Sequence, residues 1–144
     1  MKCMALEPRM IYKDILLNLN NFYRGWIVGK FNDAITNTIN EVGIQSYSIG
    51  DATTPHYHPE SIEFNIILSG ECDFVIYNLK DTDKKRYIIR VKENDILKID
   101  KYVVCKVIAI KDTKILCLRQ GCGLDKINIS DEQFYSRDVL EVSF

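Results

Sequence analysis

The stretch GDATTPHYHPESIEFNIILSG, running from Gly50 to Gly70, decides how this chain is read. It fits G-x5-H-x-H-x4-E-x6-G without a gap, and it contains His56 and His58, the chain's only 2 histidines. Side chains at i and i+2 of a strand project to the same face, so the two imidazoles stand side by side with Tyr57 turned away. Pro55 and Pro59 flank them and favour an extended edge segment. The short loop Pro59-Glu60-Ser61-Ile62 then brings the strand that carries Glu63 alongside. With Glu63 on the inner face, alternation turns Asn65 and Ile67 inward too. Phe64, Ile66 and Leu68 are left as an apolar stripe that needs cover from the N-terminal segment or a second subunit.

Two neutral imidazoles and a carboxylate form a donor set suited to Zn, Fe, Mn, Ni or Co, with coordination positions left open for substrate, water or oxygen. The competing interpretation is that the histidines satisfy a polar barrel mouth and bind no metal. No third histidine exists to complete a larger set.

Outward from this stretch, short β-branched and aromatic runs alternate with turn chemistry, the mark of an antiparallel all-β domain. Strands are expected near 26–31, 42–49, 56–57, 63–68, 72–79, 86–91, 95–99, 103–111 and 115–120. Ser69-Gly70, the charged tip Lys80-Asp81-Thr82-Asp83-Lys84, Glu93-Asn94-Asp95 and Asp112-Thr113 supply the bends. Strands this short and regularly spaced predict a closed barrel or double-sheet sandwich. Segment 11–19 fits a strand or a short helix equally well. Ser130-Asp131-Glu132-Gln133 has capping-box spacing and predicts a helix through about Val139. Both terminal segments are expected to serve packing or dimer contacts rather than chemistry.

With 144 residues the chain suits one domain with a proper core. Its net charge of -1, with acids and bases interspersed, gives nucleic-acid binding no electrostatic support. No apolar run approaches the ~20 residues that a membrane-spanning helix needs. Cys3, Cys72, Cys105, Cys117 and Cys122 lack CxxC spacing, and the first residues lack the apolar core of a signal peptide. Reduced thiols and a cytoplasmic location are therefore expected.

The Gly50–Gly70 pattern resembles the first motif of the cupin superfamily, whose domains are double-stranded β-helix (jelly-roll) barrels. The resemblance implies such an all-β barrel over residues 26–120, with an N-terminal extension at 1–25 and a C-terminal tail with a short helix at 121–144. In cupins the two histidines and the glutamate ligate metal, a role that passes to His56, His58 and Glu63. The second cupin motif, loosely G-D-x-x-x-I-P-x-G-x-x-H, is matched by NDILKIDKYVVC from Asn94 to Cys105. There Asp95 and Ile99 agree, Asp100 replaces the proline, Tyr102 the second glycine, and Cys105 the histidine that would be the fourth ligand. Alternation puts Val103, Cys105, Val107 and Ala109 on the face opposite Lys106, so Cys105 is expected to point into the barrel. It would be a thiolate ligand there, or a small buried hydrophobe. RGWIVGKF (24–31) and EVGIQSYSIGD (41–51) are also similar to a group of small single-domain cupins of undefined activity.

The leading functional expectation is a small metal-binding cupin holding a divalent transition metal (Fe, Mn, Ni or Zn) through His56, His58, Glu63 and Cys105. Its activity is left undefined; if it is an enzyme, an isomerase or dioxygenase acting on a sugar or small polar acid is expected. One alternative is a non-catalytic binding or assembly domain with a decayed site. Another is a metal-free sugar-nucleotide isomerase or epimerase in which a histidine is the general base, although the motifs of such cupin-fold enzymes are less well matched. A small-molecule ligand and a homodimer are expected, without nucleic acid or membrane as partner. Arg90 and Arg119 are expected on the surface, and would bind an anionic substrate if they faced inward; Cys122 is expected in a turn between two glycines.

Overall fold

A computed structural model describes residues 16–18, 39–82, 85–121 and 125–142. The expected strand at 26–31, and Cys3 and Cys122, lie outside the described residues. Among the described residues there are eleven strands: β1 Leu16–Asn18, β2 Glu41–Tyr47, β3 His56–Tyr57, β4 Ile62–Ser69, β5 Glu71–Asn78, β6 Lys85–Lys92, β7 Asp95–Ile99, β8 Val103–Ala109, β9 Thr113–Gln120, β10 Ile127–Asn128 and β11 Asp138–Val142. They form two sheets, ordered β1-β7-β4-β9-β2 and β10-β3-β8-β5-β6-β11. The pairs are antiparallel except β6–β11, which is parallel. This is the expected all-β jelly roll.

The interior between the sheets follows from alternation. Phe74 and Ile76 of β5, Tyr87, Ile89 and Val91 of β6, Leu97 and Ile99 of β7, Cys105 and Val107 of β8 and Ile115 of β9 meet Ile67 in one buried cluster. The opposite face of the six-stranded sheet is covered as well. Val75, Tyr77 and Val104 pack beneath Ile129 and Phe134. That explains why β5 is apolar at every position from Phe74 to Tyr77.

Phe134 belongs to the helix α1, Asp131–Tyr135, which begins where Ser130 Oγ accepts a hydrogen bond from the Gln133 amide at 3.2 Å. The helix is shorter than expected. It stops at Tyr135, and Val139 lies instead in β11, which the pairing with β6 pulls into the sheet. Segment 125–142 thus supplies both edges of that sheet rather than hanging from it.

The apolar stripe on β4 needs cover, expected from the N-terminal segment or a second subunit. Phe64 and Ile66 are buried within one chain, so they do not call for a second copy. Among the described residues, the large apolar side chains left exposed are Val42, Ile44 and Ile49, on and beside the edge strand β2, together with Leu68 of the stripe, Ile127 and Tyr135.

Both glycines of the motif adopt left-handed backbone, with φ of 88° at Gly50 and 87° at Gly70. At Gly70 a Cβ atom would also lie 2.2 Å from the Asp112 carbonyl oxygen. Tyr102, standing where the second motif has a glycine, keeps a φ of 62°. Its backbone is pinned on both sides, the amide donating to His58 O at 3.0 Å and the carbonyl accepting from Leu79 N at 3.0 Å. Stacking of its ring on Tyr57 further offsets the strain.

Candidate functional site

One end of the barrel opens as a cavity of about 310 Å³ between the sheets. Its wall includes Gln45 and Tyr47 from β2, His56 and His58 on and after β3, Glu63 and Asn65 from β4, Phe74 from β5, Cys105 and Val107 from β8, Arg119 from β9, and Lys126. The two histidine rings meet edge to face, their centroids 5.5 Å apart, while Tyr57 packs on the outer cluster. Alternation on β3, β4 and β8 therefore delivers each side chain as read from the sequence, and Cys105 does face inward, directly opposite His56 in the strand register.

The two imidazoles differ electrostatically. His56 Nδ1 donates to Thr54 O at 2.8 Å. Burial lowers its pKa, reinforced by Lys126, so it is held as a neutral ring. His58 is only 4% exposed, and its Nδ1 donates to Asp125 Oδ1 at 2.7 Å. Asp125 is itself fixed by the Glu60 amide at 2.9 Å and the Ser61 hydroxyl at 3.1 Å on its other oxygen. The second ring nitrogen, Nε2, lies 3.4 Å from Glu63 Oε1, an electrostatic contact rather than a directed hydrogen bond. Burial opposes the charged form of His58, but the Glu63 and Asp125 carboxylates outweigh it and raise its pKa above 6.5.

Glu63 has a stronger partner. The register places Arg119 of β9 directly opposite Glu63 of β4 on one side and Glu41 of β2 on the other. Cross-strand neighbours of opposite charge pair readily. Arg119 Nε donates to Glu63 Oε1 at 3.0 Å, its Nη2 makes a shorter contact with the same oxygen, and Nη1 reaches Glu41 Oε2 at 2.7 Å. Burial would raise the Glu63 pKa, yet the contacts with His58 and Arg119 bring it down to about 2. The surface position expected for Arg119 is therefore corrected: its guanidinium is turned inward between two carboxylates. Arg90, by contrast, is exposed and pairs with Asp73 at 2.9 Å.

The four expected metal ligands, His56, His58, Glu63 and Cys105, all reach this cavity but do not fit a metal ion. Among the described residues, no three His, Cys, Asp or Glu side chains are gathered as a coordinating group. The chemistry of the donors explains why. Arg119 occupies the Glu63 oxygen that faces His58, so a dication held between His58 and that oxygen would compete with a guanidinium already paired there. Burial, with the Glu63 charge adding to it, pushes the Cys105 thiol well above its usual range, so without a cation beside it the group is a neutral thiol. The expectation of a divalent metal is set aside on these grounds.

Two contributors escaped the sequence reading. Asp125 and Lys126 come from the segment assigned to packing, which β10 brings back beside β3 through the pairs Ile127–Tyr57 and Asn128–His56. The available signal was an acidic residue closing a glycine-rich turn just before the alternating Ile127-Asn128-Ile129. For Arg119 it was its sharing of a β9 face with the buried Ile115 and Cys117.

No family profile matches the sequence, and no curated protein matches it. Solved structures are similar in fold. A 3,4-ketoisomerase from Helicobacter canadensis matches with a TM-score of 0.62 and 21% identity, over 84% of this chain and 94% of that one. A sugar 3,4-ketoisomerase from Thermoanaerobacterium thermosaccharolyticum, solved with TDP, gives 0.58 and 16%, over 72% and 77%. An epimerase from Mycobacterium tuberculosis gives 0.57 and 12%, over 67% of this chain and 55% of its own length. The chain thus spans about half the length of the epimerases it matches. At these identities the likeness establishes the jelly-roll fold.

Proposed function

We propose that this chain is a sugar-nucleotide isomerase of the 3,4-ketoisomerase kind, with His58 as its general base and without a metal. The observation that carries the reading is the His58–Asp125 pair. Asp125 takes the Nδ1 proton at 2.7 Å, which fixes the tautomer and leaves Nε2 as the basic atom at the cavity. A pKa raised above 6.5 suits a group that must both accept and return a proton near neutral pH. The solved relatives of this fold include ketoisomerases, one of them a histidine-to-asparagine variant with TDP-4-keto-6-deoxyglucose bound. The metal-based isomerase or dioxygenase favoured from the sequence gives way to its metal-free alternative.

The chemistry needs few groups. His58 Nε2 removes the proton from the hydroxyl-bearing carbon next to a ketone, and the C–H electron pair forms the double bond of an enediolate. The hydroxyl proton passes to the former ketone oxygen. The imidazolium then returns its proton to the former ketone carbon, and the carbonyl is regenerated one carbon away. No atom or electron is gained or lost. Lys126 at the cavity wall provides positive charge for the transient oxyanion. Glu63 and Arg119 neutralise one another and hold the wall beneath His58. At about 310 Å³ the cavity is at the small end of ligand sites, a size suited to one sugar ring with the nucleotide resting outside its mouth.

The test is incubation with TDP-4-keto-6-deoxyglucose in deuterated water with a chelator present, followed by proton NMR. The expected result is conversion to the 3-keto sugar with deuterium entering at the exchanging carbon. The His58→Asn variant should bind TDP normally but turn over at least ~10²-fold more slowly. Absence of both TDP binding and exchange would overturn the proposal.

A further inference from the structure

Asn65 lies two residues beyond Glu63 on the inner face of β4 and is only 4% exposed. Its Nδ2 has no hydrogen-bond partner in the protein. The residues opposite it in the strand register are Leu97 on β7 and Cys117 on β9, neither of which offers a strong acceptor. Buried side-chain amides are seldom left unpaired, because their desolvation is then uncompensated. Only two cavity-lining residues carry such an atom among the described residues, Asn65 and the proposed base His58. Phe74 and Val107 give the facing sheet an apolar patch beside its two histidines. An unpaired buried donor set against such a patch helps to fix the orientation of a polar ligand.

We infer that Asn65 is a specificity-determining residue whose Nδ2 donates to a hydroxyl or keto oxygen of the sugar ring that enters beside His58. The inference rests on the sugar-nucleotide reading above. A leucine has nearly the shape of asparagine without its polar atoms, so Asn65→Leu separates ligand recognition from packing. If the amide waits unpaired for a ligand, its removal raises the melting temperature of the ligand-free protein. If Asn65 serves the fold, its removal lowers it.

The experiment measures three quantities on wild type, Asn65→Leu and Asn65→Ala: ligand-free melting temperature, affinity for TDP, and affinity for TDP-4-keto-6-deoxyglucose. The expected result is unchanged TDP affinity, sugar-nucleotide affinity weakened at least about tenfold in both variants, and a higher melting temperature for Asn65→Leu. If Asn65→Leu fails to fold, that result itself contradicts an unpaired amide, and the inference is lost. Unchanged sugar-nucleotide affinity in a folded variant overturns the inference and leaves the function standing. Failure of the wild type to bind either ligand overturns the function and the inference together.

Discussion

Replacing Arg119 with methionine removes the guanidinium that neutralises a carboxylate inside the barrel while keeping most of the apolar stem. The structure sets the magnitude. The Glu63 carboxyl is held at about 2 against an ordinary 4.5, a gap worth about 3 kcal/mol of preference for the charged form. His58 supplies part of that preference. Removing one partner of a buried pair also leaves the other charge uncompensated, typically at a cost of ~3–5 kcal/mol. Arg119→Met is therefore expected to lose about 2–4 kcal/mol at pH 7 in urea denaturation followed by far-UV circular dichroism. The size of the loss depends on pH. A carboxyl with a lowered folded pKa contributes stability above pH 4.5 that disappears as pH falls toward 2. In the variant, burial dominates and the Glu63 pKa rises above its unfolded value, so acidification relieves the strain. The deficit relative to wild type should thus shrink by at least half between pH 7 and pH 3. The double variant Glu63→Gln/Arg119→Met should recover about 2 kcal/mol of the loss at pH 7. A deficit below about 1 kcal/mol, or one equally large at both pH values, would refute the reasoning.

Asp125→Asn should lower kcat by ~10²–10⁴-fold, because an amide no longer selects the productive tautomer. It should also move the acidic limb of the kcat/KM profile to lower pH, since Asp125 helps to raise the His58 pKa. Stability has the opposite dependence. The wild-type His58 contribution is complete below pH 6.5 and is lost as pH rises through its higher folded pKa, and Asp125→Asn should flatten that fall in denaturation measured from pH 6 to 8. Gly70→Ala should cost about 2–5 kcal/mol, because a φ of 87° and a backbone oxygen 2.2 Å from the added carbon act together. A melting temperature within ~2 °C of wild type would contradict it.

Most of the barrel was legible because alternation and turn chemistry are local signals. β3 and β7 agree with their expected bounds, and Gly50 and Gly70 bracket the motif as tight turns. Glu63, Asn65 and Cys105 were turned inward by period-two reasoning alone, and Tyr102 occupies its glycine position by accepting a left-handed backbone. The partners of those residues were not legible, because they depend on register between distant strands. Nothing near Arg119 in sequence announces that Glu41 and Glu63 flank it, and without that cation the two histidines and glutamate read as metal ligands. Asp125 was hidden for the same reason, its contact with His58 depending on the pairing of β10 with β3. The helix forecast overran because a capping signal marks where a helix starts, whereas β6 decided where this one stops.

The His58–Asp125 pair joins residues 67 positions apart, the second of them beyond the last long strand of the five-stranded sheet. At ordinary rates of synthesis, roughly 3–13 seconds separate the appearance of the two side chains. During that interval the imidazole lacks the group that selects its tautomer, and β3 lacks both β8 and β10 for much of it. A growing chain can therefore begin to form its sheets before it holds a competent base. On the proposed reading, proton-transfer activity should emerge in vectorial synthesis only after Asp125 has been added and β10 can pair with β3.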